Sequence, residues 1–184
     1  DSPDRLTGKS SSQAAFSIHG FEFVLQGRCE QAIAGIASDF AYFRTPDAAR
    51  AGSSAMVLEL NDTAPAYDGL PVCDASAYTP RNVVYRSNGR RFLDYGGRGL
   101  GILDEASQRF SMTSEDPDLV YEAAYLFLLA RIGEHLDTRR LHRLHALALS
   151  LRGRSILVLL PMGGGKSTLG AELLKHPDIR ILSD

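Results

Sequence analysis

Ile156-Leu157-Val158-Leu159-Leu160-Pro161-Met162-Gly163-Gly164-Gly165-Lys166-Ser167-Thr168-Leu169-Gly170-Ala171-Glu172-Leu173-Leu174-Lys175 joins an apolar strand-like run, a glycine-rich turn and a helix-like run without interruption. That order suits a loop that holds polyphosphate. Backbone N–H groups freed by Gly163, Gly164 and Gly165 can curl around the anion, and the helix that follows points its positive end at it. Lys166 can neutralise β- and γ-phosphate oxygens, Ser167 can reach a magnesium ion, and Thr168 can add a hydroxyl near the α-phosphate. The cofactor-binding set is therefore Met162, Gly163, Gly164, Gly165, Lys166, Ser167 and Thr168, and the expected ligand is ATP or GTP with Mg²⁺. The usual pattern, G-x-x-x-x-G-K-[ST], asks for a small residue where Leu160 stands. The alternative is a tight glycine turn in which Lys166 is a solvated residue at a helix start.

The flanks of the loop carry two further candidates. From His145 onward Leu147, Leu149 and Leu151 alternate with small residues, which predicts a strand with its leucines on one face. Arg152-Gly153-Arg154 then turns the chain, and the run 156–160 returns antiparallel. Beyond a helix predicted over 167–175, His176-Pro177-Asp178 breaks the pattern, and a short strand runs from Ile179 to a carboxylate, Asp184. Its spacing suits a group that holds Mg²⁺ or takes the proton of an attacking hydroxyl; a surface aspartate is the other reading. Arg139, Arg140 and Arg143 read as a solvated face or as charge at a helix C-terminus.

The chain of 184 residues is 44% hydrophobic and 23% charged with a formal charge of −2, the balance of a soluble globular protein without a basic footprint for nucleic acid. No apolar run approaches the roughly 18 residues that span a bilayer, so no membrane partner is expected. The start has neither a charged nor an apolar leader segment, so residues 1–13 are expected to be a disordered or trimmed beginning and the address cytoplasmic. Cys29 and Cys73 lie far apart, and His19, His135, His142, His145 and His176 form no ligand spacing with them. No structural metal is expected.

Nearer the N-terminus, Phe16, Ile18, Phe21, Phe23 and Leu25 nearly alternate around His19-Gly20, which predicts two short strands joined at a bend. Residues 30–43 have a helical rhythm with Ile33, Ile36, Ala37, Phe40 and Phe43 on one face, and 55–60 is strand-like. Residues 61–81 read as a long loop. Strands are predicted over 83–86, 91–95, 100–104 and 108–113, separated by Ser87-Asn88-Gly89 and Gly96-Gly97, as in an antiparallel meander. Ser114-Glu115-Asp116-Pro117 starts a helix over 119–136 whose core face is Val120, Ala124, Phe127, Leu128 and Ile132. Tyr121, Tyr125 and Phe127 read as packing rather than as a platform for a base. The predicted organisation is a disordered start (1–13), a small α+β module with antiparallel strands (14–113), a connecting helix region (114–144) and an α/β P-loop core (145–184).

Hairpin, loop, helix and strand together resemble the catalytic core of the HPr kinase/phosphorylase family and its HPr-kinase-like relatives, a core shared with phosphoenolpyruvate carboxykinases. The resemblance is confined to about residues 145–184 and rests on His145, Gly163, Gly165, Lys166, Ser167 and Asp184. It implies that Lys166 and Ser167 handle nucleotide phosphate and Mg²⁺, that Asp184 matches the first of the family's paired aspartates, its catalytic acid/base, and that His145 orients it. Leu160, Met162 and Thr168 stand where the family has glycine, serine and glutamate, which implies a divergent relative whose phosphate acceptor is another protein, a peptide or a small hydroxyl compound. Ring-like homo-oligomers are common in that family. Its sheet has more strands after the loop and a second aspartate beside the first, so the expectation is a core incomplete at the C-terminus. Two functions follow: a nucleotide-dependent phosphotransferase, or a non-catalytic nucleotide-binding sensor or scaffold. A transporter-type ATPase shares the run from Gly163 to Leu169 but has no signature motif here.

Overall fold

The computed structural model describes residues 13–46, 54–161 and 163–183, so the expected disordered start lies outside the described residues except for Gln13. The chain divides into two units, Asp1–His135 and Leu136–Asp184.

In the first unit β1 (Ala14–Ile18) and β2 (Phe21–Gly27) form the predicted hairpin, turned by His19 and Gly20 at φ 48° and 84°. Positive φ at both central residues matches the twist of the flanking strands. Phe16 faces Phe23 across the pair, with ring centroids 4.9 Å apart. The chain then enters α1 (Glu30–Asp39), makes one 3₁₀ turn at Ala41–Phe43, and returns as β3 (Arg44–Thr45) beside β1. Strand β4 (Met56–Asn61) pairs in parallel with β2, so β2, α1 and β4 form a βαβ crossover.

Five more strands complete the sheet: β5 (Ala75–Tyr78), β6 (Val83–Ser87), β7 (Arg90–Asp94), β8 (Gly99–Asp104) and β9 (Arg109–Ser114). They fold back antiparallel and bring β9 alongside β4 in parallel, giving the order β3-β1-β2-β4-β9-β8-β7-β6-β5. The unit is mixed α+β, as expected in class. It departs from the predicted small antiparallel module in two ways. Two of its pairings are parallel, because helix and meander both act as crossovers. The stretch read as one loop, 61–81, also contains β5, whose Ala-Ser-Ala-Tyr sequence lacks apolar alternation and which joins the sheet edge by main-chain pairing to β6.

Both helices cover one face of this sheet. Asp116 caps α2 (Pro117–Thr138), its Oδ1 accepting the N–H groups of Asp118 and Leu119 at 3.0 and 3.3 Å, with Pro117 in the first helical position. Beneath the helices lie Leu25, Leu58, Leu60, Phe110 and Met112, all fully buried with Val120, Ala124 and Leu128 of α2. Each of these side chains larger than alanine contributes about 1.5–3 kcal/mol of burial. Phe127 stacks on Phe110 at 3.9 Å, and Tyr125 meets Phe40 at 5.9 Å, so these aromatics are engaged within the unit. Tyr121 passes Gly35 so closely that any side chain there would meet its ring at 3.0 Å, and its hydroxyl donates to Asp39 Oδ2 at 2.6 Å.

The second unit holds β10 (Leu147–Leu151), β11 (Arg154–Val158), α3 (Lys166–Leu173) and β12 (Ile179–Ser183), with an antiparallel sheet of order β11-β10-β12. The hairpin turn at Arg152 and Gly153 has φ of 48° and 77°, and Leu147 and Leu149 are buried as the alternation predicts. A Cβ added at Gly170 of α3 would lie 3.3 Å from the Leu147 and Ile181 side chains, so the bare glycine lets the helix sit close on the sheet. Arg139, Arg140 and Arg143 are exposed, and Arg140, at φ 59°, follows the end of α2. No helix among the described residues is long and apolar enough to cross a membrane.

Two outcomes follow for the first unit. Gly27 has φ 132°, and a Cβ there would overlap the Leu60 carbonyl, so Gly27→Ala is expected to lower unfolding free energy by about 2–4 kcal/mol in denaturant titration. The Tyr121 hydroxyl, hydrogen-bonded to the Asp39 carboxylate and partly desolvated, has its pKa pushed up to about 12. Because the folded state keeps a proton that the unfolded chain loses near pH 10, this contribution is full below pH 10 and disappears as pH rises towards about 12. The Tm difference between wild type and Tyr121→Phe should shrink across that window.

Candidate functional site

The edge of the second unit's sheet places the loop. Strands β11 and β12 are each antiparallel to β10 between them, so they run in the same direction and α3 carries the chain from one to the other. Leu147 stands opposite Val158, and Ala148 opposite Ser183, so the carboxyl ends of β11 and β12 and the amino end of β10 share one edge. Phosphate-binding loops of strand–loop–helix units occupy this kind of position. Strand β11 ends at Val158, before the predicted 160, and α3 begins at Lys166, one residue earlier than predicted.

The glycines set the loop's path. Gly163 and Gly165 lie at φ 76° and 83°, in the left-handed region that costs a Cβ-bearing residue about 1–2 kcal/mol. Gly164 donates its N–H to the Pro161 carbonyl at 2.9 Å, and a Cβ on it would press to 3.0 Å from that oxygen and 3.1 Å from Leu160 Cβ. Gly165 is the residue before α3 and offers no side chain to the first-turn N–H groups; its carbonyl accepts the first helical bond, from Leu169 at 2.8 Å. Those amides remain available to an anion.

Lys166 folds back against the start of the loop. Only 7% exposed, it donates from Nζ to the Leu160 carbonyl at 3.0 Å and the Pro161 carbonyl at 3.3 Å. The alternative of a solvated lysine at a helix start is not what the geometry presents. Ser167 and Thr168 are exposed, and neither hydroxyl has a hydrogen-bond partner among the described residues. The Leu160 side chain, the departure from the small-residue pattern, leaves the loop's lysine contact intact because that contact uses its carbonyl. Sequence patterns of side chains do not register that partner.

His145 lies two residues before β10, outside the strand it was predicted to begin, exposed and at the same sheet edge as the loop. The structure thus brings His145, Gly163, Gly164, Gly165, Lys166, Ser167 and Thr168 to one edge of one unit. Met162 and Asp184 lie outside the described residues. Chemically, the edge supplies backbone donors, one ammonium, one imidazole and two free hydroxyls.

Replacing Gly165 with alanine at φ 83° should destabilise the loop by about 1 kcal/mol. Hydrogen exchange should report it as faster exchange in residues 163–173 with little change in the first unit.

Comparison with protein-family models, with curated proteins and with solved structures found no match for this chain.

Proposed function

We propose that the chain binds ATP or GTP with Mg²⁺ at the 161–168 loop and, as an HPr-kinase-like phosphotransferase in the cytoplasm, transfers the terminal phosphoryl group to a hydroxyl of a protein, peptide or small molecule. The observation that supports this most is the buried Lys166, held on two loop carbonyls at 3.0 and 3.3 Å beside glycines whose conformations turn the backbone around it. A glycine turn serving only to join strand and helix has no use for an ammonium group inside it.

In this reading the triphosphate lies against the loop amides and the first turn of α3, and Lys166 exchanges its carbonyl partners for β- and γ-phosphate oxygens. Magnesium, when bound, neutralises charge developing across those oxygens. Its residues fit: Ser167 Oγ is exposed and uncommitted, Asp184 follows β12 in sequence, and Mg²⁺ needs only one or two protein ligands when phosphates and water complete its shell. Among the described residues there is no cluster of three or more His, Cys, Asp or Glu side chains placed to hold a metal by themselves. Asp184 takes the proton of the acceptor hydroxyl, the acceptor oxygen bonds to the γ-phosphorus, and the bond to the bridging oxygen breaks to release the nucleoside diphosphate. His145 orients Asp184.

Titration with a fluorescent ATP analogue tests the binding half. Lys166→Ala should weaken it about 10–100-fold, the loss of a charge-assisted contact. Transfer from γ-labelled ATP into a cell extract tests the rest: Asp184→Asn should abolish labelling while weakening nucleotide binding less than Lys166→Ala does. Binding without labelling by the wild-type chain would favour the sensor or scaffold reading, and absence of binding would overturn both.

A further inference from the structure

The first unit contains a cleft of about 560 Å³ between α2 and strands β6 to β8. Its floor is apolar, with Leu93 and Leu103 from the sheet and Leu126 and Phe127 from the helix. Its rim is basic. Arg81, Arg91, Arg98 and Arg131 line it against Glu122 and Glu134, a positive excess in a chain whose formal charge is −2.

Three of these arginines are ion-paired, and Arg98 is left over. Arg81 pairs with Glu122 at 3.3 Å, Arg131 with Glu134 at 2.5 Å, and Arg91 with Glu105. Arg98 is exposed and its guanidinium has no partner among the described residues. Beside the cleft Arg86 stands directly opposite Arg91 across β6 and β7, a like-charge cross-strand pair that opposes folding.

We infer that this cleft docks an acidic, partly apolar segment of a partner protein in extended conformation. The α2 wall runs from Leu119 to Glu134, about 22 Å, the reach of roughly seven extended residues. Alternate side chains of an extended segment point to opposite sides, so one set enters the apolar floor while the other meets the arginines. The arginines are also dispersed: Glu122 and Glu134, which mark two of them, are about 18 Å apart along the helix. One phosphate needs converging donors; a peptide carboxylate can meet the unpaired Arg98 while others add to the Arg81 and Arg131 ion pairs spaced along the helix. This docking does not depend on the nucleotide reading of the loop.

Fluorescence anisotropy on the full chain tests it, with a labelled peptide of alternating Glu and Leu about eight residues long and a matched peptide carrying Lys for Glu. The acidic peptide should bind, weaken with rising salt, and lose about tenfold in affinity to Arg98→Glu, while the basic peptide should not bind. Arg86→Glu provides a second exposed variant with the same expected direction, and Tm measurement confirms that each is folded. Equal binding of the two peptides, no binding of the acidic one, indifference to both variants, or displacement of the peptide by ATP would overturn the inference.

Discussion

Strand β4 lies between two parallel neighbours, β2 and β9, and that placement organises the first unit. A parallel neighbour is out of reach of a tight turn, so the chain must leave the sheet and come back. On one side α1 makes the crossing; on the other, the β5–β8 meander does. The junction centres on one carbonyl, with the Asn61 side chain beside it. The Leu60 carbonyl accepts the N–H groups of Arg28 and Cys29 at 2.9 and 3.0 Å, which ends β2 and sets the start of α1. Gly27 has to lack a side chain because the same carbonyl lies against it. Strand register and helix position are therefore one constraint, and the buried face of Leu58 and Leu60 inherits its alignment from it.

Local chemistry was legible where a short segment decides its own conformation. His19-Gly20 and Asn88-Gly89 marked hairpins because their positions need positive φ, and Asp116-Pro117 marked the start of α2 because a carboxylate cap and a proline both suit a first turn. Pairing direction was not legible. Nothing in the composition of β4 distinguishes a parallel from an antiparallel neighbour, since both require its alternation of buried and half-buried residues. Strand β5 carried no apolar rhythm because it sits at an edge with three of its four residues exposed.

The candidate site divides along the same line. Three consecutive glycines followed by Lys166 announced a turn, and the left-handed φ values of Gly163 and Gly165 make one. The resting partners of Lys166 are main-chain carbonyls, which any residue at 160 or 161 would provide, so no residue type signalled them. The arginine-rimmed cleft was harder still to anticipate. Arg81, Arg91, Arg98 and Arg131 come from separate elements, and only the return of α2 over the meander gathers them.

The nine-stranded sheet ends bluntly on both sides: β3 contributes two residues, and β5 contributes four with a register shift. An open sheet invites polymerisation when a long, flat edge presents many aligned amides and carbonyls to another chain. Here neither terminal strand offers such a template. The first unit can keep a broad, strongly hydrogen-bonded sheet with little tendency to seed fibrils through its edges, and the protection comes from the shortness of two strands, helped on one side by the exposed charge of Arg44.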